Sequence, residues 1–179
     1  LLEAAARLRA GRPDLTLALV GGRDAERQAL AQQAAALGLP VVRRGPGDEA
    51  APVAPGSCLL VAPRPQAEVV RYLAAADALA IPDTVTDVTA SPLKLFEYLA
   101  LGQPLVLPSI PALHEIVPAA LGHAFPRRDL DGLTAALAAA LDAAPDLGGA
   151  AARRALAADH TYGRRAERII EVVERVRLT

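Results

Sequence analysis

Methionine, tryptophan and asparagine are missing from this 179-residue chain, lysine occurs once, at position 94, and cysteine once, at position 58. The lone Cys58, inside the apolar run SCLLVAP, excludes an internal disulfide framework and a cysteine-based metal cluster, and its setting predicts a buried strand residue. No apolar run reaches the roughly 18 uninterrupted residues that a membrane helix needs. The opening LLEAAARLRA is amphipathic and charged, unlike a secretory signal. Long basic runs are also missing and the formal net charge is −1, so neither a nucleic-acid footprint nor a polybasic membrane patch is indicated. A small neutral or anionic ligand remains open. The chain opens without methionine and is expected to be part of a longer protein, cytoplasmic, with any peripheral membrane contact made by a domain outside this segment.

What is present is alanine, arginine, proline and glycine in excess, a bias of GC-rich, bacterial-like coding; every basic residue but Lys94 is arginine. In such a background a single lysine asks for a reason. An apolar share of 53% with only 3% aromatics describes a globular protein built on Ala, Leu and Val, long enough for one domain with a proper core.

Along the chain, helical and strand-like segments alternate. A helix from Leu1 to about Gly11 precedes the strand LTLALV, which runs into Gly21-Gly22; a helix over about Asp24 to Leu37 precedes LPVV. The Pro/Gly-rich stretch 43–57 reads as a surface loop and CLLVAP as the next strand. Then follow a helix (PQAEVVRYLAAAD), a strand (ALAIP), a polar loop (DTVTDVTAS), a helix (PLKLFEYLAL), a strand (PLVLP), a short helix (PALHEIV) and an extended piece at GHAFP. Helices close the chain. This order predicts an α/β, Rossmann-like doubly wound parallel sheet with helices on both faces and the C-terminal helices last. The opening helix lacks the strand that precedes it in such folds.

The segment TASPLKLFEYLALGQPLVLP holds the site candidate. Ser91 is a good N-cap, Pro92 suits the first helical position, and Gly102 with Pro104 ends the helix. Leu93, Phe96 and Ala100 at i, i+3, i+7 are expected to pack on the sheet, leaving Lys94 in the first turn and Glu97 at the border of the polar arc. A cation in the first turn opposes the helix dipole by up to about 1 kcal/mol, whereas an anion bound there reverses the sign. By spacing alone the alternative stays open: a Lys94–Glu97 surface pair at i, i+3, worth about 0.2–0.5 kcal/mol.

Taken together, AEVVRYLAAADALAIP, SPLKLFEYLALGQPLV and IPALHEIV resemble the C-terminal, nucleotide-sugar-binding domain of family 4 glycosyltransferases with the GT-B fold. The likeness extends from LTLALVGG to the terminal HTYGRRAERIIEVVERV and treats 1–179 as one domain, with its first strand and an N-terminal acceptor domain outside this segment. In that family a Glu, seven residues and a second Glu mark the donor site. The second falls on Glu97; the first position holds Thr89.

The resemblance implies that Glu97 accepts hydrogen bonds from the donor ribose and that the amides of Leu93 and Lys94 face the diphosphate, with Ser91 and the Lys94 ammonium adding to it. Pro92 stands where the family more usually has glycine and offers no amide. Thr89 lacks the carboxylate that contacts the donor sugar, with Asp87 or Asp83 as weak substitutes. The loop APRPQAE, with Arg64, lies where the family holds the base; the alternative is a solvated Arg64. The implied whole protein is a retaining, hexosyltransferase-like enzyme using a UDP-, GDP- or ADP-sugar, with no metal and no other cofactor, and this domain by itself is expected to be inactive.

His114, His123 and His160 are too scattered for a metal site, and the catalytic residues stay unassigned. Two other readings compete. One is a non-catalytic nucleotide-binding or interaction module, motivated by Thr89 and Pro92. The other is a dinucleotide enzyme, disfavoured because VGGRDAE lacks Gly-x-Gly-x-x-Gly.

Overall fold

The computed structural model describes residues 1–48, 52–83 and 92–177. Helix α1 (Leu2–Leu8) leads to strand β1 (Leu17–Val20), helix α2 (Asp24–Ala36) and strand β2 (Val41–Arg44). Strand β3 (Cys58–Val61), helix α3 (Gln66–Ala74), the short strand β4 (Leu79–Ala80) and helix α4 (Pro92–Leu101) follow. Then come β5 (Leu105–Pro108), α5 (Pro111–His114), a 3-10 turn at Ala119–Leu121 and β6 (His123–Phe125). Helices α6 (Leu130–Asp142), α7 (Leu147–Asp159) and α8 (Tyr162–Arg177) complete the chain. The alternation expected from the sequence is therefore present, with helix and strand ends shifted by a few residues. Strand β2 starts two residues later than LPVV and takes in Arg43 and Arg44 from the expected loop.

All strand pairings are parallel. Among the described residues they form two three-stranded sheets, in the orders β1-β3-β2 and β4-β5-β6, rather than the single continuous sheet expected. The middle strands β3 and β5 are buried at every position, as parallel strands covered on both faces should be. Cys58 has no exposed surface, matching its sequence reading, and burial pushes its thiol pKa up.

Helix α1 joins the two halves. Leu2 packs in a cluster with Ala34, Leu39, Cys58 and Leu60, while Ala4 packs with Val106, Phe125, Leu133 and Ala136 of the other half. Ion pairs from Arg7 to Asp131 and from Arg12 to Asp142 fasten this first segment to α6. These groups are largely exposed, so the packing of Leu2 and Ala4 contributes more than the charges.

Helix α4, which carries the candidate residues Lys94 and Glu97, is held by α7. Arg153 on α7 is 2% exposed, and its guanidinium donates to the carbonyl of Gly102 at 3.1 Å and to Asp146 Oδ2 at 3.0 Å. Asp146 also N-caps α7 by accepting from the Gly149 amide at 2.8 Å. Gly102 ends α4 at φ 79°, and a Cβ there would sit 2.8 Å from the Ala150 carbonyl oxygen of α7. Only glycine fits that close approach. At the other end of α7, His160 stacks on Phe96 with ring centroids 5.0 Å apart.

The Gly149 amide and the Arg153 guanidinium hold the Asp146 carboxyl below its ordinary value. A carboxylate with a depressed folded pKa stabilises the fold above its unfolded value, near 3.9, and the contribution is lost as pH falls through the folded value. Asp146→Asn keeps the cap acceptor and removes the charge. Its deficit in urea-unfolding free energy relative to wild type is therefore expected at pH 7 and is expected to vanish in strong acid. A deficit independent of pH would show that the charge at Asp146 contributes nothing.

Candidate functional site

Within each sheet the strands are parallel, so β1 and β3 end on one edge of the first sheet and β4 and β5 on one edge of the second, followed by α2, α3, α4 and α5, and a hydrogen bond from Gln66 of α3 to Glu97 of α4 links the two edges. Such edges are where open α/β sheets bind ligands. Helix α4 starts at Pro92, as expected from the proline and its flanking residues. Ser91, Thr89 and Asp87 lie outside the described residues, as does the side chain of Pro92.

The buried face of α4 differs from the sequence expectation. Leu95 and Leu99 have no exposed surface and pack with Ile81, Leu105, Leu107 and Leu113. Leu93 is 56% exposed, Ala100 is exposed, and Phe96 is half-buried under α7. The helix is apolar almost all round, so the i, i+3, i+7 pattern did not have a unique phase. The Leu95–Leu99 ridge meets the sheet, while α7 covers the Phe96 flank.

That rotation puts Glu97, two residues from both Leu95 and Leu99, at the middle of the exposed arc rather than at its border. No Lys94–Glu97 ion pair forms among the described residues, so the surface-pair alternative is not realised. Glu97 turns instead to the first residue of α3: Gln66 Nε2 donates to Glu97 Oε1 at 3.2 Å. One carboxylate oxygen is thereby oriented from the neighbouring helix. Lys94 and Leu93 stand exposed in the first turn of α4.

Arg64 follows β3 on the loop leading into α3, as the sequence placed it, but it is not solvated. Its side chain is 6% exposed, lies 3.5 Å from Glu68 and donates to the Gly45 carbonyl. Its guanidinium thus ties the loop after β2 to the start of α3. Asp83, considered as a substitute carboxylate, uses both oxygens locally: Oδ1 accepts from Arg127 Nε and Oδ2 from the Arg128 amide, each at 2.9 Å. Burial alone would raise the Asp83 pKa, but these bonds outweigh it and hold it below the usual carboxylate range. Arg128 takes φ 59°, a left-handed conformation uncommon for a side chain of this size, and the Asp83 bond supports it.

Sequence reasoning did not foresee three local arrangements. They are the Gln66–Glu97 bond, the Asp83–Arg127 pair, and a Ser109 Oγ to His114 Nε2 contact of 2.9 Å after β5. His114 does fall in the short helix α5, as expected. A depression of about 250 Å³ beside it is lined by residues such as Leu107, Val117, Pro118 and Ala119. It includes none of the predicted site residues and is mainly apolar. Among the described residues no group of three or more His, Cys, Asp or Glu is arranged to hold a metal ion, and no helix is long and apolar enough to cross a membrane.

A family model described as glycosyl transferases group 1 matches residues 1–143. The chain belongs to that family. Its fold is similar to that in a crystal structure of WaaG, a glycosyltransferase involved in lipopolysaccharide biosynthesis, with a TM-score of 0.60 over 90% of this chain at 22% identity. The chain spans 38% of that structure. No curated protein matches. The group 1 membership and the shared architecture agree with the C-terminal domain of a GT-B glycosyltransferase, the resemblance first suggested by SPLKLFEY and its neighbours. In this group 1 chain the match ends within the segment after α6, so α7 and α8 extend beyond the family pattern.

Proposed function

We propose that this domain binds the nucleoside diphosphate sugar donor of a retaining, hexosyltransferase-like glycosyltransferase, whose acceptor is held by an N-terminal domain outside this segment. The observation carrying the proposal is the exposed Glu97 carboxylate on α4 at the strand-end edge, oriented by Gln66 in a chain of the group 1 family. A carboxylate suits a ribose diol because both of its oxygens accept hydrogen bonds. With Oε1 engaged by Gln66, Oε2 is left for the sugar hydroxyls. The first-turn amides of Leu93 and Lys94, with the Lys94 ammonium, are assigned to the diphosphate, where helix polarity favours an anion and stabilises charge as the leaving group departs. Ser91 adds to that set, and the loop carrying Arg64 is assigned to the base through its main chain, since the Arg64 guanidinium is already engaged. The chemistry requires no metal in this assignment.

Calorimetric titration of the full-length protein and of this domain with UDP, GDP and ADP, free and as sugar conjugates, tests the reading. Saturable binding of one series by both supports it; binding of none by either removes it. A smaller effect distinguishes the neighbour of Glu97. Gln66→Leu loses one exposed hydrogen bond, so a rise of about threefold to tenfold in donor KM is expected with kcat nearly unchanged. Unchanged KM would mean that Glu97 needs no help from α3.

Thr89 motivates a second reading, a nucleotide-binding module that retains the fold without transfer activity. Thr89→Glu combined with Pro92→Gly in the full-length protein separates the two. Transfer absent in the wild type and present in the double variant supports the non-catalytic module; transfer already present in the wild type excludes it.

A further inference from the structure

Asp83 and Arg127 meet across a strand that stands between them. The order β4-β5-β6 separates the ends of β4 and β6 by two strand spacings, about 10 Å. Continued past the last paired residues, the register sets Asp83 level with Ser109 and Arg127 level with Ile110. Strand β5 ends at Pro108 and Ile110 already caps α5, so the chain has turned aside and the two side chains bond over the end of β5. Arg127 Nε and the Arg128 amide each donate to Asp83 at 2.9 Å, and the Asp83 and Arg127 side chains are only 19% and 22% exposed. Arg128 holds its left-handed backbone where its amide meets the second oxygen, a conformation that persists only where neighbouring contacts over-determine it.

This bridge sits where the sheet gives the chain little support. Strand β4 is two residues long, and the Ile81 amide on the Val106 carbonyl, at 2.9 Å, is the last bond between its segment and β5 among the described residues. Ile81 is buried in the cluster that holds Leu95 and Leu99 of α4, and Leu95 directly follows Lys94. The bridge therefore fixes the chain two residues beyond a side chain that packs against the first turns of α4. A movement of Asp83 reaches Leu93 and Lys94 through Ile81 and Leu95.

We propose, building on the donor site assigned above, that Arg127 is a positioning residue for nucleoside diphosphate binding: through Asp83 it holds the end of β4 against α4 and so keeps the first-turn amides of that helix in place. In this role Arg127 touches no ligand. Its effect passes through the carboxylate of Asp83, whose two oxygens are both taken up by the bridge.

Calorimetric titration of the full-length protein with UDP, GDP and ADP, well below the melting temperature of each variant, tests this role. Arg127→Ala is expected to raise the Kd of whichever nucleotide the wild type binds by about threefold to thirtyfold. Asp83→Asn is the decisive variant, because it removes a negative charge near a bound anion. A guanidinium acting on the anion directly would then bind it as tightly or more tightly, whereas a broken bridge weakens binding by a factor similar to that of Arg127→Ala, which is the expected result. The double variant should be no weaker than the weaker single, since both break one bridge. Arg127→Lys should recover part of the loss. Arg12→Ala removes an arginine paired with Asp142 elsewhere on the molecule and should leave Kd unchanged. Wild-type affinity retained in Arg127→Ala, or affinity retained or improved in Asp83→Asn, overturns the positioning role and leaves the proposed function standing. Absence of binding by the wild type removes both.

Discussion

If the proposed donor site is right, Glu97→Gln in the full-length protein is expected to lower kcat/KM for the sugar donor by about tenfold to a hundredfold, the equivalent of losing a hydrogen bond to a charged acceptor. The substitution preserves size and one carbonyl oxygen. It replaces the second acceptor with an NH₂ group, which confronts a hydroxyl donor with another donor. The ribose is remote from the bond that breaks, so most of the loss should appear in KM and little in kcat. Glu97 is exposed and lies opposite the Leu95–Leu99 face, so the melting temperature should stay where it is. Steady-state kinetics and calorimetry with the identified donor, alongside a thermal melt, check all three expectations. Unchanged donor affinity with an unchanged melt would remove Glu97 from the site.

The architecture was readable because its signals are local. Gly102 stops α4, Pro92 starts it, and the apolar stretches around Cys58 and Leu105 have the length and continuity of parallel strands buried on both faces. The phase of α4 was not readable. With Leu93, Leu95, Phe96, Leu99 and Leu101 spread around the helix, the sequence offered several apolar faces, and only the positions of β5 and α7 decide that Leu95 and Leu99 are covered. The sheet's division was also hidden, since local signals predict strands but not which edges meet.

Sequence reasoning placed the candidate residues Glu97 and Lys94 on one helix, as the structure does, but the contacts around the candidate site come from elsewhere in the chain. Gln66 is 31 residues before Glu97 and sits in a first turn whose composition gives no sign of a contact. Arg64 was a candidate for the base site, with a solvated side chain as the alternative; the Gly45 carbonyl that engages it belongs to a loop that the sequence presents only as Pro/Gly-rich. Asp83 was available as a substitute carboxylate until Arg127 and Arg128, 44 and 45 residues later, were seen to occupy its oxygens. In each case the missing information is a long-range hydrogen bond.

Arg153→Ala is expected to be the most destabilising change among these residues, at about 3–5 kcal/mol, because it removes a large buried side chain together with its hydrogen bonds. The adjacent arginines 153 and 154 look alike in sequence, but Arg153 is 2% exposed and reaches the carbonyls of Gly102 and Leu121 as well as Asp146. Truncation takes this donor from the buried Gly102 carbonyl and opens a cavity against the end of α4. For a domain of this size the melting temperature should fall by about 6–20 °C. Because α7 fixes α4 at both Gly102 and Phe96, donor affinity should fall together with stability, unlike the effect of Glu97→Gln. Arg153→Lys keeps the charge but lacks the forked guanidinium, so it should recover only part of the loss. A thermal melt and a donor titration on both variants decide the matter: a melting temperature unchanged by Arg153→Ala would mean that the Gly102 and Asp146 contacts contribute nothing to holding α7 against the site helix.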